Sequence, residues 1–289
     1  MRGRRGRGRE VGFGLLTRFG AVMGLLVLLL LVGDIFVDGV GNLTRHFFTG
    51  FASRFPERAG IRAPLLGTAW LLGLTALLVF PVSVGAAIYL EEYASKRWTT
   101  RALQTFITNL AGVPSIVYGL LGLALFVRGL GLDRSVLAGG LTLSLLIMPV
   151  VILSCQEALR RVPSGVREAA FGLGATRWQV LRHQVLPQAL PDMVSGGIFA
   201  LSRAVGEAAP LIMIGAVTFI AFTPESVSDP FTALPVQIFH WAIRPQAEFR
   251  ELAAAAIIVL LALMLGMNAL AVAFRTRLER KSEGRRKRK

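Results

Sequence analysis

The 289-residue sequence holds one cysteine, Cys155, so no disulfide can form within the chain. Its three histidines, His46, His183 and His240, are far apart and have no cysteine nearby, so no zinc cluster is expected. Charged residues make up only 17% of the chain, against roughly 25% in an average soluble domain. No G-x-x-x-x-G-K-[ST] pattern occurs, and Gly172-Leu173-Gly174-Ala175 is too short and lacks the lysine. The chain is therefore not expected to hydrolyse ATP itself, and no cofactor is expected. Internal repeats are absent too. These gaps exclude a disulfide-stapled domain, a zinc protein and a P-loop nucleotidase.

Apolar surface is what the sequence has in excess. Hydrophobic residues reach 54% and the mean hydropathy is +0.60. A globule of this size cannot bury so much, because small folds keep much of their surface in water. A spanning helix needs about 20 mostly apolar residues. Six segments qualify, at 19–38, 64–90, 105–128, 136–157, 194–221 and 252–274. The expected architecture is an all-α polytopic membrane protein with six transmembrane helices. Its parts are a basic tail (1–18), a first helix with its outer loop (19–63), a five-helix unit (64–274) and a second basic tail (275–289). The apolar run 21–32 follows an arginine-rich start, as in a signal peptide. The following Gly33-Asp34-Ile35-Phe36 has no small-x-small cleavage pattern, so an uncleaved anchor is expected.

The net charge of +15 suggests a nucleic-acid binder until it is mapped. Residues 1–10 and 275–289 together carry +11 of it. Basic tails flanking apolar spans fit cytoplasmic ends, and no soluble domain offers a basic patch for nucleic acid. With both termini inside, the inner segments hold 23 Lys/Arg and the outer loops 8, and Arg203 lies within a span. That bias agrees with an even number of spans. Pro81, Pro114, Pro149 and Pro210 fall inside spans and are expected to kink them.

Residues 158–193 form the longest inner loop. Ser164 reads as the N-cap of a helix over 165–171, which Gly172 and Gly174 break. Thr176-Arg177-Trp178-Gln179 has the spacing of a capping box. A second helix is expected over 177–186, stopping at Pro187. Trp178, Leu181 and Val185 fall on one face as an apolar ridge. The hairpin suits either a bed of lipid headgroups or a groove on a soluble partner.

The stretch Glu168-Ala169-Ala170-x-x-x-Gly174-Ala175, followed by Leu186-Pro187, resembles the EAA motif of permease subunits of bacterial binding-protein-dependent ABC importers. The resemblance covers roughly residues 64–274. It implies the type I ABC importer permease fold in the bacterial inner (cytoplasmic) membrane, and it favours the docking reading of the hairpin. Glu168, Ala169, Gly174 and Pro187 are then motif positions in an element that couples to the ATPase, with Trp178 and Leu181 on its apolar ridge. Glu91-Glu92-Tyr93-Ala94, the run from Ala111 through Pro114 to Leu120, and the run from Arg203 through Glu207 to Leu211 resemble phosphate-importer permeases. Ala209-Pro210-Leu211 and the run from Leu234 to Ala242 resemble their PstA-type partner. Ala208 departs from that pattern, where threonine is common. The resemblance implies a PstC-type sister permease in a heterodimer, a homodimer of ATPase subunits and an extracytoplasmic phosphate-binding protein.

Arg203 and Glu207 would lie about 13 Å and 20 Å from the inner start of their span. Each charge costs roughly 2.5–3.5 kcal/mol in a bilayer, so neither should face lipid. At i and i+4 on one helix they would pair. One reading is a structural ion pair. The other is an anion path, for which the planar arginine fork is suited. Gly196, Ala200, Ala204 and Ala208 form a stripe of small residues that lets a second helix approach. Asn109, Ser115 and Tyr118 either line the same route or bond neighbouring helices. Competing functions are a permease for sulfate or molybdate, a membrane scaffold or sensor, and a gradient-driven transporter. The last would bring inverted repeats, discontinuous helices and a cluster of intramembrane carboxylates.

Overall fold

Backbone inside a bilayer has no water to bond, so apolar runs must satisfy themselves as helices. The computed structural model describes the backbone of residues 3–95, 97–216 and 219–286, and the side chains of 13–95, 97–216 and 219–277. The tail side chains at 1–12 and 278–289, which supply most of the charge behind the expected orientation, lie outside the described residues.

In chain order come α1 (Gly3–Gly39), α2 (Arg45–Thr49) and α3 (Arg62–Ile88), which runs on into a π-helical turn at Tyr89–Tyr93. Then follow α4 (Trp98–Leu110), α5 (Ser115–Gly122) with a π segment at Leu123–Gly129, α6 (Val136–Arg160) and α7 (Ser164–Gly172). After these are α8 (Arg177–Val180), a π segment at Leu181–Val185, and α9 (Leu186–Val205). The chain closes with α10 (Ala209–Ile214), α11 (Leu234–Ala242) and α12 (Ala247–Arg286).

Among the described residues, four helices are long and apolar enough to cross a membrane: Phe13–Asn42, Arg62–Tyr93, Val136–Arg160 and Ala247–Arg277. The pair Trp98–Leu110 and Ser115–Gly129 would make a fifth, but it is bent by 101°. The expected helix at 105–128 is thus a sharp break at 111–114 rather than a kinked rod. The expected segment 194–221 differs as well. Its helix begins earlier, at Leu186, and ends at Val205, and α10 is a separate short turn. Pro187 does not stop the helix. It occupies the first turn of α9, directly after the π segment at Leu181–Val185, and the helix passes through it.

α6 is the central helix. It is packed between α3 and α9, and Val151, Cys155 and Leu159 have no exposed surface. α12 covers the other side of α9. Ser195 and Ser202 of α9 donate to the carbonyls of Ala271 (3.5 Å) and Met264 (3.2 Å) on α12. Covered on both sides, α9 need not be uniformly apolar, and it carries Gln188, Asp192 and Arg203. The expected stripe of small residues is cut short, because Ala208 lies beyond the end of α9, but Gly196 allows the close approach. A Cβ at Gly196 would overlap the Ser154 hydroxyl, so glycine there sets the α6–α9 approach. α1 leans on α12, and its apolar stretch is left for lipid.

At one end of the bundle, Phe47, Ile61, Leu234, Trp241 and Phe249 form a second apolar cluster. At that end too, the loop before α11 closes the start of α6. The N–H groups of Val136 and Leu137 donate to the carbonyls of Asp229 (3.0 Å) and Val227 (2.8 Å). The Asp229 carboxylate accepts from the N–H groups of Glu225 and Ser226, which hold its pKa below the usual carboxylate range.

Candidate functional site

The break between α4 and α5 opens a cavity of about 340 Å³. Residues 110–115 and Tyr118 form one wall, Leu146, Ile147 and Val150 of α6 a second, and Ala200, Arg203, Ala204 and Glu207 a third. The cavity therefore joins stretches nearly 100 residues apart in the chain. It also lies where two helices end. α9 stops at Val205, and residues 206–208 lead irregularly into α10.

Pro114 explains the first break and Tyr118 stabilises it. In an unbroken helix the carbonyl of Leu110 would accept from the N–H of residue 114, which proline lacks. The Tyr118 hydroxyl donates to that carbonyl instead, at 2.8 Å, and the Val113 N–H reaches it at 3.1 Å. Tyr118 thus braces the break and lines the cavity as well, as Ser115 does. Tyr118→Phe is expected to cost about 1 kcal/mol. Thermal unfolding of the purified protein checks this, with Tm about 2 °C lower.

Arg203 and Glu207 share the cavity but do not pair. Among the described residues neither side chain has an ion-pair or hydrogen-bond partner. The expected i, i+4 pair fails because the helix ends between them: the N–H of Glu207 bonds the carbonyl of Ala204 in a closing turn. An unpaired guanidinium faces a cavity that backbone from two broken helices also borders. Such a place offers directed donors to an anion. Discontinuous helices, which a gradient-driven transporter would show, are therefore present, so they do not separate that class. Among the described residues, the only acidic one lining the cavity is Glu207.

The second site is the hairpin after α6. Pro163 rather than Ser164 is the N-cap of α7, and Ser164 is the first helical residue. α7 ends in a Schellman motif. The N–H of Ala175 bonds the carbonyl of Ala170 (3.1 Å) and that of Gly174 bonds Phe171 (2.9 Å). Gly174 has φ +81°, the left-handed conformation this motif demands and most side chains resist. The expected capping box is formed: Thr176 accepts from the N–H of Gln179, and the Gln179 side chain accepts from the N–H of Thr176 (2.8 Å). Glu168, Ala169, Trp178 and Pro187 are exposed. The expected apolar ridge is divided, however. Leu181 and Val185 are buried in the core around α6, because the helical chain runs on through the π segment into α9 and must bury that face. The exposed apolar surface is instead Phe171, Trp178 and Leu173, the last 90% exposed at the tip.

Residues 80–281 match the family model of the binding-protein-dependent transport system inner membrane component. The chain belongs to this family. It is an integral, multi-pass protein of the bacterial inner membrane, the permease component of an ABC transporter. In such a transporter ATP hydrolysis lies on a separate subunit and a binding protein delivers the substrate. Among curated relatives, the phosphate transport system permease protein PstA of Mycobacterium leprae is 32% identical over 91% of this chain and 87% of its own length. The probable ABC transporter permease protein YqgI of Bacillus subtilis is 31% identical over 76% and 78%. A bacterial alginate ABC transporter, solved with its pentasaccharide-bound periplasmic protein, superimposes with a TM-score of 0.66 at 18% identity, covering 96% of this chain and 98% of that one. The inward-facing MetNI methionine transporter gives 0.62 at 18% identity, over 75% and 97%. These two likenesses establish the type I importer permease fold. In the permease, the exposed tip at Leu173 and the brace from Tyr118 to Leu110 were not part of the sequence reading. Leu173 carries no periodic signal, being in a turn. The bracing role of Tyr118 was readable in principle from its spacing of four after Pro114.

Proposed function

We propose that the chain is the PstA-type permease of a phosphate importer, and that the 340 Å³ cavity is part of the anion's route. The observation that carries this reading is Arg203. It is a guanidinium unpaired among the described residues, in the cavity of a chain two of whose relatives, matched over 87% and 89% of their length, are named phosphate transport system permeases. Arg203 binds the anion through its fork. Glu207, on the same cavity, tempers the positive potential, so that the anion binds weakly enough to leave.

Six crossings result if the bent pair α4–α5 counts as one and α9 as another, and both termini then lie in the cytoplasm. The surplus of Lys/Arg in the inner segments supports that orientation. The hairpin at 164–187 then projects on the cytoplasmic side, with Glu168, Ala169, Gly174 and Pro187 shaping it and Trp178 at its surface. It docks on the ATPase dimer. Leu181 contributes by anchoring the hairpin to the bundle. A PstC-type sister permease completes the pathway, lipid surrounds both, and an extracytoplasmic phosphate-binding protein loads it.

Radiolabelled phosphate uptake tests the cargo. Cells lacking their own phosphate importers receive the candidate ATPase, sister permease and binding protein, with or without this chain. Uptake is expected to require the chain and to resist excess sulfate and molybdate. A fully assembled complex whose uptake ignores the chain, or is competed away by either oxyanion, rejects phosphate as the cargo.

A further inference from the structure

Two acidic residues beyond the end of α3 meet two arginines from other elements. Arg160 at the end of α6 places Nε 2.9 Å from both carboxylate oxygens of Glu91. Arg167 of α7 donates from Nη2 to Glu92 Oε1 at 2.8 Å. The same guanidinium donates to the carbonyls of Leu159 (2.9 Å) and Val162 (2.6 Å). Leu159 is in the last turn of α6, and Val162 is in its link to α7. Arg167 therefore grips the carboxyl end of α6, where carbonyls lack helical partners and the helix dipole is negative. The side chains of Arg167 and Glu92 are 20% and 18% exposed, drier than an ordinary surface pair.

This contact is singular in its position. Among the described residues, no other side-chain hydrogen bond or ion pair joins α7 to the rest of the protein. The adjoining surface of α7, at Glu168 and Ala169, is exposed. Some 12 residues along α6 from Leu159, about 18 Å, lies the cavity wall at Ile147. α3 is drawn in as well, because its own end carries Glu91 and Glu92. A displacement of α7 cannot be absorbed locally while Arg167 holds all three partners.

We propose that Arg167 is the positioning residue that turns movement of the hairpin into movement of the α3–α6 pair, with Glu92 as its ionic anchor. The proposal rests on the reading of 164–187 as the ATPase contact. The clamp transmits; it does not dock.

The whole importer, reconstituted in vesicles with its sister permease, ATPase and binding protein, provides the test. Glu92→Gln removes the ionic anchor but leaves Arg167 its two carbonyls. Arg167→Gln removes the grip, and Arg167→Lys keeps the charge. Three quantities are read: ATPase retained on purification, ATP hydrolysed, and phosphate moved per ATP. Glu92→Gln and Arg167→Gln are expected to keep the ATPase bound and hydrolysing within two-fold, while phosphate moved per ATP falls at least ten-fold. Arg167→Lys is expected to recover at least a third of the transport ratio. A transport ratio within two-fold of the unaltered importer in both glutamine variants overturns the proposal. Loss of the ATPase from both also overturns it, since the residues would then serve docking. Failure of the docking reading itself appears separately, as normal ATPase retention when the exposed hairpin tip is altered.

Discussion

Replacing Arg203 by glutamine is expected to abolish phosphate uptake while the complex assembles normally. Arg203 lines the cavity without a partner among the described residues, so its removal strands no buried acid and the bundle keeps its packing. A hydrogen bond to a charged group is worth about 1.5–3 kcal/mol. Losing a two-pronged contact to a phosphate in the path therefore removes about 3 kcal/mol or more, which is at least a hundred-fold in transport. Arg203→Lys keeps the charge without the planar fork and is expected to fall between the two. Co-purification of the partners reports assembly, and radiolabelled uptake reports function. Normal uptake by the glutamine variant would remove Arg203 from the path. Failed assembly would return it to a structural role.

The second large effect is expected at the tip of the hairpin. Leu173 and Trp178 are 90% and 55% exposed, so altering them leaves the core untouched. Trp178→Ala is expected to weaken retention of the ATPase by about 2 kcal/mol, the scale of a buried aromatic anchor at an interface, or roughly 30-fold in affinity. Leu173→Asp adds a charge that docking would have to desolvate and is expected to act in the same direction. Size-exclusion behaviour of the isolated permease should not change. If both variants retain the ATPase as well as the unaltered chain, the hairpin lies on lipid headgroups rather than in a groove of the ATPase.

Local chemistry made parts of both sites readable. Thr176 and Gln179 announced a helix start because a capping box needs only residues three apart. Gly174 announced a turn because few other residues accept its backbone conformation. Pro114 was visible as a disturbance, yet its outcome was not. The same missing N–H gives a kink when neighbours carry the helix onward, and a 101° bend when, as here, Tyr118 satisfies the freed carbonyl and a cavity accepts the opening. The side chains of Leu181 and Val185 show the opposite failure. Their spacing marked an apolar face correctly but could not say whether that face met the core or a partner.

Apolar excess, the four long apolar helices, the capping box at Thr176 and the turn at Gly174 were legible in the sequence alone, because each depends on neighbours within a few positions. The tertiary structure decided the rest. It separated Arg203 from Glu207 by ending a helix between them, joined residues 110–115 to residues 200–207 around one cavity, and closed Arg167 onto Glu92 across 75 positions. Those arrangements are set by how α3, α6 and α9 pack, and contacts between distant segments leave no periodic trace along the chain.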